Sequence, residues 1–572
     1  MNHLLSIAKK YRFFIIIYLA LGLSQTFLQS FGAKYLQTVI DNFAARTLTP
    51  VNIAVYGAAM ISLYLICYLD EYPGRKLENG FVLGLKTAAL KKISVIDYLS
   101  CVKIGTGTLI QRIENGARAG GNILFEFYLK LACELLPAMI FSIAFIATIS
   151  VPVTAAILAG YAAVFLVTRI LLSALYKVKE SILVNEEKYN NLLVRGFTEM
   201  VVFRVNRRFA REIKKAEAAA DEIISSKIKI AMTHEAFFAI FAVLIGFVKI
   251  GIIIYGWRAG ALTIGRVVAL IALVDNAYTP IAIFNVNYVQ FKLDKIAFNR
   301  YAEFLDQKDD ARLIGGFSVK GADSVGSDEF SSKGGVSFKN VDFCYEGREI
   351  FGKFNLEIKK GKFTALVGES GSGKSTAVKL AAGLLRPDAG EVFSGGCDLN
   401  KINLNDYYGR IAYIPQEASV FDGSLRENLV FDEEVDEKSL IEAIEKTGLA
   451  ELFSKLEEGL DTRLGERGIG LSGGERQLLA LARLWFSDAE IIFFDEATSA
   501  TDNLTEEAAM KNVAELLKGR TVVSVAHRLD SIKNFDEIFV FKNGEIVESG
   551  DFDGLMRAEG YFYELYKRKG KA

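Results

Sequence analysis

Long apolar stretches crowd the first half of the chain, and the second half has only short ones. Phe13 to Ala33 carries no charged residue, and Val51 to Leu69 forms a second run. A third extends from Leu135 to Val151, and Pro152 marks a short turn into a fourth, Val153 to Tyr176. Ala236 to Gly256 and Val267 to Phe291 complete six. A helix that crosses a bilayer needs about 20 predominantly apolar residues. A single run of this kind fits a buried helix of a soluble domain. Six in succession point to lipid.

From Gly335 onward the pattern changes to short apolar runs alternating with helical periods, which predicts an α/β domain. The stretch between, "DQKDDARLIGGFSVKGADSVGSDEFSSKG", is polar, with Gly and Ser throughout, and reads as a linker. The expected organisation is therefore a six-helix membrane domain over residues 1–305, a linker over 306–334 and an α/β domain over 335–572.

Basic residues set the orientation. Lys9, Lys10 and Arg12 precede the first span. Arg75, Lys76, Lys86, Lys91, Lys92, Lys103, Arg112 and Arg118 lie between spans two and three, and the connection between spans four and five is also basic. The other connections are short and hold few. The N-terminus is expected inside, and an even number of spans leaves the α/β domain inside as well. The localisation expected is the cell membrane, with the α/β domain in the cytoplasm. Both inner connections are long, charged and poor in Pro, so the spans should continue as helices well beyond the membrane. The most basic stretch, "RVNRRFAREIKK", reads as a solvated helix face or a contact with anionic lipid headgroups.

Composition supports a chain partly in lipid: 51% of its 572 residues are hydrophobic, and the mean hydropathy is +0.25. A net charge of -1 gives no reason to expect a nucleic-acid partner. The five cysteines form no CxxC pair and no cluster with the three histidines, so neither a disulfide framework nor a metal site is expected of them. The first apolar run is too long for a cleavable signal, and others follow it.

Two segments carry phosphate chemistry. "FTALVGESGSGKSTAVKLAAG" reads strand, loop, helix, and Gly368 to Ser375 fit the G-x-x-x-x-G-K-[ST] spacing in that context. Glycines let backbone N–H groups approach phosphate oxygens. Lys374 supplies positive charge to the β/γ-phosphates, and Ser375 offers a hydroxyl to Mg²⁺. "AEIIFFDEATSA" reads as a buried strand ending in Asp495 and Glu496. The first acid suits Mg²⁺, and the second can orient or deprotonate a water. Upstream of them, "GLSGGE" opens a further helix with a Ser-Gly-Gly turn, whose N–H groups also suit an anion.

Together these residues resemble an ATP-binding cassette transporter of the exporter type, along essentially the whole chain. "LSGGE" is similar to the family signature, with Glu475 where Gln is usual. Gln416 in "IAYIPQEASVFDG" resembles the Q-loop, His527 in "VVSVAHRLD" the switch histidine, and Tyr345 in "VDFCYEG" the aromatic that stacks on adenine. "SATD", Ser499 to Asp502, resembles the D-loop, with Thr501 where Leu is usual, and "TRLGERG" resembles a stretch of exporter-type members. "VFRVNRRF" resembles a coupling helix, which by the same resemblance meets the stretch holding Glu466. "IQRIENGARAG" resembles the first inner loop, with Asn115-Gly116 where Asn-Asp is common.

The resemblance implies a half-transporter that dimerises with a second copy or a different subunit. ATP and Mg²⁺ would lie between Gly368, Glu369, Ser370, Gly371, Ser372, Gly373, Lys374, Ser375 and Thr376 of one cassette and Ser472, Gly473, Gly474 and Glu475 of the other. Tyr345 and Asp502 would also contact nucleotide. Ser375, Gln416 and Asp495 would face the metal, and Glu496, His527 and Gln416 would act in hydrolysis.

The last span indicates little about cargo. Asn276, Thr279, Asn287 and Gln290 fall near one helical face, which suits either interhelical hydrogen bonds or a cavity lining. Lys249 and Asp275 stand at nearly matching depths in spans five and six, and are expected either to pair or to share a water-filled cavity. No leader-peptidase domain precedes the first span, so peptide processing is not expected. Export is the expected direction, with import on the same scaffold as the alternative. A gated channel would predict eroded hydrolytic residues or a regulatory insertion. A cassette ATPase of DNA maintenance would carry long coiled coils and no spans.

Overall fold

In a computed structural model, residues 2–259, 262–314, 335–431, 434–465, 468, 470–496, 503–526 and 528–569 are described. The chain divides into two compact units. One comprises Met1–Ser94 and Ile104–Gln307, the other Val95–Lys103 and Lys308–Ala572.

The first unit is helical. Its principal helices are α1 (Arg12–Ala44), α2 (Pro50–Ile93), α3 (Gly107–Ile149), α4 (Val151–Thr198), α5 (Phe209–Ala259) and α6 (Ile264–Leu305). Among the described residues, α1, α2, α3, α5 and α6 are long and apolar enough to cross a membrane, and α4 begins with the shorter apolar stretch Val151–Ala162. The 44 residues of α2 span about 66 Å at the usual rise, twice the hydrocarbon thickness, so the helix continues far past its apolar run. The turn into α4 is tighter than the sequence suggests. Only Ser150 is extended, and Pro152 sits in the first helical turn, where its missing N–H costs nothing.

Within α3, Ile123–Leu129 and Leu131–Leu135 wind as π-helix. Beside them Tyr18, Leu77, Phe81, Phe125 and Cys133 form a small buried cluster that ties α1, α2 and α3 together. The larger apolar core is built chiefly on α6 and gathers Ile157, Phe241, Ile252, Leu270, Leu273 and Tyr278. The Tyr278 hydroxyl donates to the Ile157 carbonyl at 3.1 Å, so the buried phenol is satisfied across the α4–α6 contact.

"IQRIENGARAG" forms continuous helix within α3, as expected of the inner connections. The reason for Gly116 is steric. A Cβ there would stand 2.1 Å from the Tyr301 Cβ of α6, while the Tyr301 hydroxyl reaches the Leu85 carbonyl of α2 at 2.6 Å. An aspartate at position 116 would collide with that packing. "VFRVNRRF" folds as the end of a short helix, Met200–Val205, followed by a turn with Arg207 at φ 53° before α5. Phe203 and Phe209 meet edge to face across it at 5.9 Å.

The second unit is α/β. One sheet is antiparallel, in the order β2-β1-β4-β5, from β1 (Val336–Tyr345), β2 (Arg348–Ile358), β4 (Ala389–Ser394) and β5 (Cys397–Asp398). The other has six strands in the order β10-β9-β3-β8-β7-β6. These are β3 (Phe363–Gly368), β6 (Ile411–Ile414), β7 (Ile491–Asp495), β8 (Thr521–Val525), β9 (Glu537–Lys542) and β10 (Glu545–Gly550). Five of them, β9-β3-β8-β7-β6, pair in parallel, and their near-continuous apolar sequences reflect burial on both faces.

Val95–Lys103 lies between spans two and three in sequence but belongs to this second unit. Ile96 bridges Asp309, the Asp310 N–H donates to the Val95 carbonyl at 2.8 Å, and Leu99 packs against the apolar core of this unit. The beginning of the polar 306–334 stretch is also built in. Arg312 is 4% exposed, bonds Asp310 and donates to the Gly383 carbonyl at 3.0 Å. Residues 315–334 lie outside the described residues.

Candidate nucleotide site

Strand register fixes the distances that matter. Leu366 of β3 pairs with Val525 of β8, and Val525 pairs with Asp495 of β7. The loop that follows β3 therefore emerges beside Asp495, about two strand spacings or ~10 Å away. Ile414 of β6 pairs with Phe494, which brings Gln416 to the same edge. This is the carboxyl end of a parallel sheet, where open α/β folds place their ligands.

The loop is shaped for an anion. Gly371 and Gly373 hold φ of 80° and 106°, conformations that side-chain-bearing residues adopt only at a cost. A Cβ at Gly373 would press on Phe351 at 2.8 Å, whereas the space beside Gly371 is open. α7 (Lys374–Ala381) starts directly after the loop, with its N-terminus toward it. The Lys374 ammonium is 4% exposed and donates to the Gly368 and Glu369 carbonyls at 3.1 and 2.8 Å. It thus lies folded over the loop's own backbone. Glu369 and Ser370 are exposed, Ser375 is half-buried, and Thr376 is buried under the loop.

Asp495 is 5% exposed. Its Oδ2 accepts from the Tyr413 hydroxyl at 3.0 Å, and its Oδ1 has no partner among the described residues. A buried carboxylate oxygen left open in this way fits a metal ion or metal-bound water, as the sequence suggested for Mg²⁺. Burial, and then the charge of Asp495, hold the Tyr413 hydroxyl well above its ordinary pKa, so it remains a donor. Glu496 has φ of 60°, a left-handed conformation that is strained for such a residue. Its Oε2 accepts from Gln416 Nε2 at 2.6 Å. The structure thus brings Gln416, Asp495 and Glu496 together.

Tyr345 ends β1 at a two-residue hairpin, Glu346-Gly347, with φ of 49° and 86°, values of a type I′ turn. Its ring is half-buried against Phe343, edge to face at 4.8 Å. Lys103 pairs with Glu346 of that turn at 3.5 Å, so the Val95–Lys103 segment adjoins the strand carrying Tyr345.

The second cradle opens α8 (Gly473–Ala482). The Ser472 hydroxyl accepts from the Glu475 N–H at 3.2 Å, and the Glu475 carboxylate accepts from the Ser472 N–H at 2.7 Å. This reciprocal cap uses Glu as readily as Gln, which accounts physically for Glu475. It leaves the N–H groups of Gly473 and Gly474 as the donors the turn can offer an anion. α8 buries Leu478 and Leu479 in a core separate from the one that receives Ala377 and Val378 of α7. The two anion-suited turns are thus anchored in different parts of the unit. His527, Glu466 and Ser499 to Asp502, including Asp502, lie outside the described residues.

Sequence reasoning missed Tyr413 and the Val95–Lys103 contact. A tyrosine three residues before Gln416 was a usable signal, because a phenol in a buried strand needs a partner. In the first unit, Gln29 donates to Asn276 at 3.2 Å and Asn287 donates to the Glu126 carbonyl at 3.2 Å. These two polar groups of α6 thus serve interhelical hydrogen bonds. Lys249 and Asp275 pair directly at 2.7 Å.

Residues 351–499 match the model of the ABC transporter family. Over these residues the α/β unit is similar to the ABC transporter family's domain. It is 33% identical over 311 residues to the uncharacterized ABC transporter ATP-binding protein YwjA of Bacillus subtilis, covering 54% of this chain and 52% of that one. It is also 38% identical over 259 residues to ABC transporter B family member 2 of Dictyostelium discoideum, covering 45% of this chain and 18% of the relative. The chain's matches thus span about half or less of the length of those curated relatives. The solved structure of a bacterial Atm1-family ABC exporter with ATP bound superposes with a TM-score of 0.83 over 99% of both chains, at 22% identity. The chain therefore has the exporter-type fold: a helical membrane unit fused to an α/β cassette.

Proposed function

We propose that this chain is an ABC transporter, one half of an ATP-driven exporter that works as a dimer in the cell membrane. Its cassette, with the N-terminus, faces the cytoplasm. Each ATP would lie between the loop Gly368–Ser375 of one cassette and the Ser472 turn of the other. The cluster of Gln416, Asp495 and Glu496 at the carboxyl end of the sheet carries this reading, because it joins a metal-suited carboxylate to a base beside a phosphate loop.

Mg²⁺ bound with the nucleotide would supply charge neutralisation for the phosphates. Ser375 and Asp495 would hold it, with Gln416 facing it. Glu496 would accept a proton from the attacking water, and Gln416, now on its carboxylate, would release it to reach that position. His527, Tyr345 and Asp502 are assigned nucleotide roles by family resemblance. Anchoring of the two anion-suited turns in separate cores supports a site split between chains, since each turn is free to face a different nucleotide.

The inner connection between α4 and α5 carries exposed apolar side chains. Val201, Val202 and Val205 are 67%, 51% and 75% exposed, and Phe197 is 81% exposed. These apolar side chains lie far along the helices from the apolar spans, where lipid does not cover them. A protein surface would, as the resemblance of this stretch to a coupling helix implies. Export is favoured over import by the exporter-type fold and by a Rickettsia typhi relative named as an export ATP-binding/permease protein.

Glu496→Gln tests the assignment. The amide keeps the shape and loses the base, so steady-state ATP hydrolysis in lipid should fall ~10²–10⁴-fold while ATP binding persists. Unchanged hydrolysis would refute it.

A further inference from the structure

We propose that Tyr413 is a positioning residue that fixes the Asp495 carboxylate so that one of its oxygens faces the metal of the bound nucleotide. The inference rests on the reading above that Asp495 holds that metal.

Register provides the geometry. Tyr413 of β6 stands opposite Phe493 of β7. Asp495 is two residues further along β7 and therefore projects from the same face of the sheet. A phenol is long enough to cover that offset, and the hydroxyl meets Oδ2 at 3.0 Å. The last torsion of an aspartate is broad and weakly held by itself. With Oδ2 engaged, the carboxylate plane is set, and Oδ1 is the buried oxygen without a partner among the described residues.

A buried tyrosine that needed only to satisfy its own hydroxyl could use a backbone carbonyl. Tyr407 in the same unit does so, donating to Ala381 at 2.8 Å. Tyr413 instead donates to the carboxylate proposed for the metal. It also stands three residues before Gln416, which bonds Glu496 at 2.6 Å. β6 and the turn just beyond it thereby hold both acids at the end of β7: Asp495 through Tyr413 and Glu496 through Gln416. Movement of β6 would disturb the metal ligand and the base together.

The test uses the full-length protein in lipid nanodiscs, in a Glu496→Gln background so that nucleotide is retained. Mn²⁺ replaces Mg²⁺ and is titrated by electron paramagnetic resonance with ATP present. ATP binding is measured separately in EDTA. Tyr413→Phe removes only the hydroxyl and is expected to weaken Mn²⁺ binding ~10-fold, the scale of one hydrogen bond to a charged group. Metal-free ATP binding should stay within about twofold, and 3-fluorotyrosine at position 413 should restore Mn²⁺ affinity. Unchanged Mn²⁺ affinity in Tyr413→Phe would overturn the proposal. An equal loss of metal-free ATP binding would overturn it as well, as would failure of 3-fluorotyrosine to rescue, since either outcome assigns the effect to packing. Asp495→Asn separates the two readings. If it leaves Mn²⁺ binding intact, the metal assignment itself fails. If it abolishes binding while Tyr413→Phe does not weaken it, only the role of Tyr413 fails.

Discussion

Lys249 and Asp275 illustrate how much a single residue discloses before a structure is known. An ionisable group inside a span is costly unless it meets a partner or water. Two of opposite sign at matching depth on adjacent spans therefore raised pairing or a shared cavity as alternatives, and the 2.7 Å contact between α5 and α6 selects direct pairing. The coupling expected from a double-mutant cycle is ~1 kcal/mol, within the usual range for touching residues. Thermal unfolding of Lys249→Met, Asp275→Leu and the double variant should show the double less destabilised than the sum of the singles. Additive losses would contradict direct pairing. The phosphate loop was legible for a related reason, since its function requires local sequence. Tyr413 was not, because its partner is 82 positions away and only strand register brings the two together.

At the scale of elements, apolar length and charge placement predicted the spans and their continuation as helices, because both follow from local pattern. Packing between helices was less legible. Gly116 departs from the family's usual residue, and the reason lies on α6 in the side chain of Tyr301. Gly116→Ala should lower the unfolding midpoint, with overpacking of ~1–3 kcal/mol exceeding the ~1 kcal/mol that Ala adds to helix propensity. Gly196→Ala provides the matched control. Nothing lies within 4 Å of a Cβ there, so that substitution should leave the midpoint unchanged or raise it. A lowered midpoint for both, or for neither, would contradict this account of the α3–α6 contact. Val95–Lys103 escaped sequence reading for the same physical cause. Its docking is a non-local pairing with Asp309 and Asp310, and the segment looks like any other short amphipathic turn.

For the whole molecule, the central claim is that the catalytic unit is the dimer, with each ATP held by two chains. The cassette carries two turns suited to an anion, one glycine-rich at the start of α7 and one capped by Glu475 at the start of α8, set in different cores. A single cassette has no evident use for the second. Two cassettes would use both, and closure of the pair would then depend on bound γ-phosphate, a bistable arrangement released by hydrolysis. The direct test mixes a Lys374→Ala chain with a Ser472→Arg chain, each carrying a different tag, and isolates the mixed dimers in lipid. Every site in either parental dimer is defective, whereas a mixed dimer joins one intact loop to one intact Ser472 turn in a single site. A cysteine pair placed across that site reports its closure. The account predicts ATP-dependent crosslinking across the intact site of the mixed dimer together with ATP hydrolysis above both parents. Crosslinking and hydrolysis no higher than in the parental dimers would contradict it.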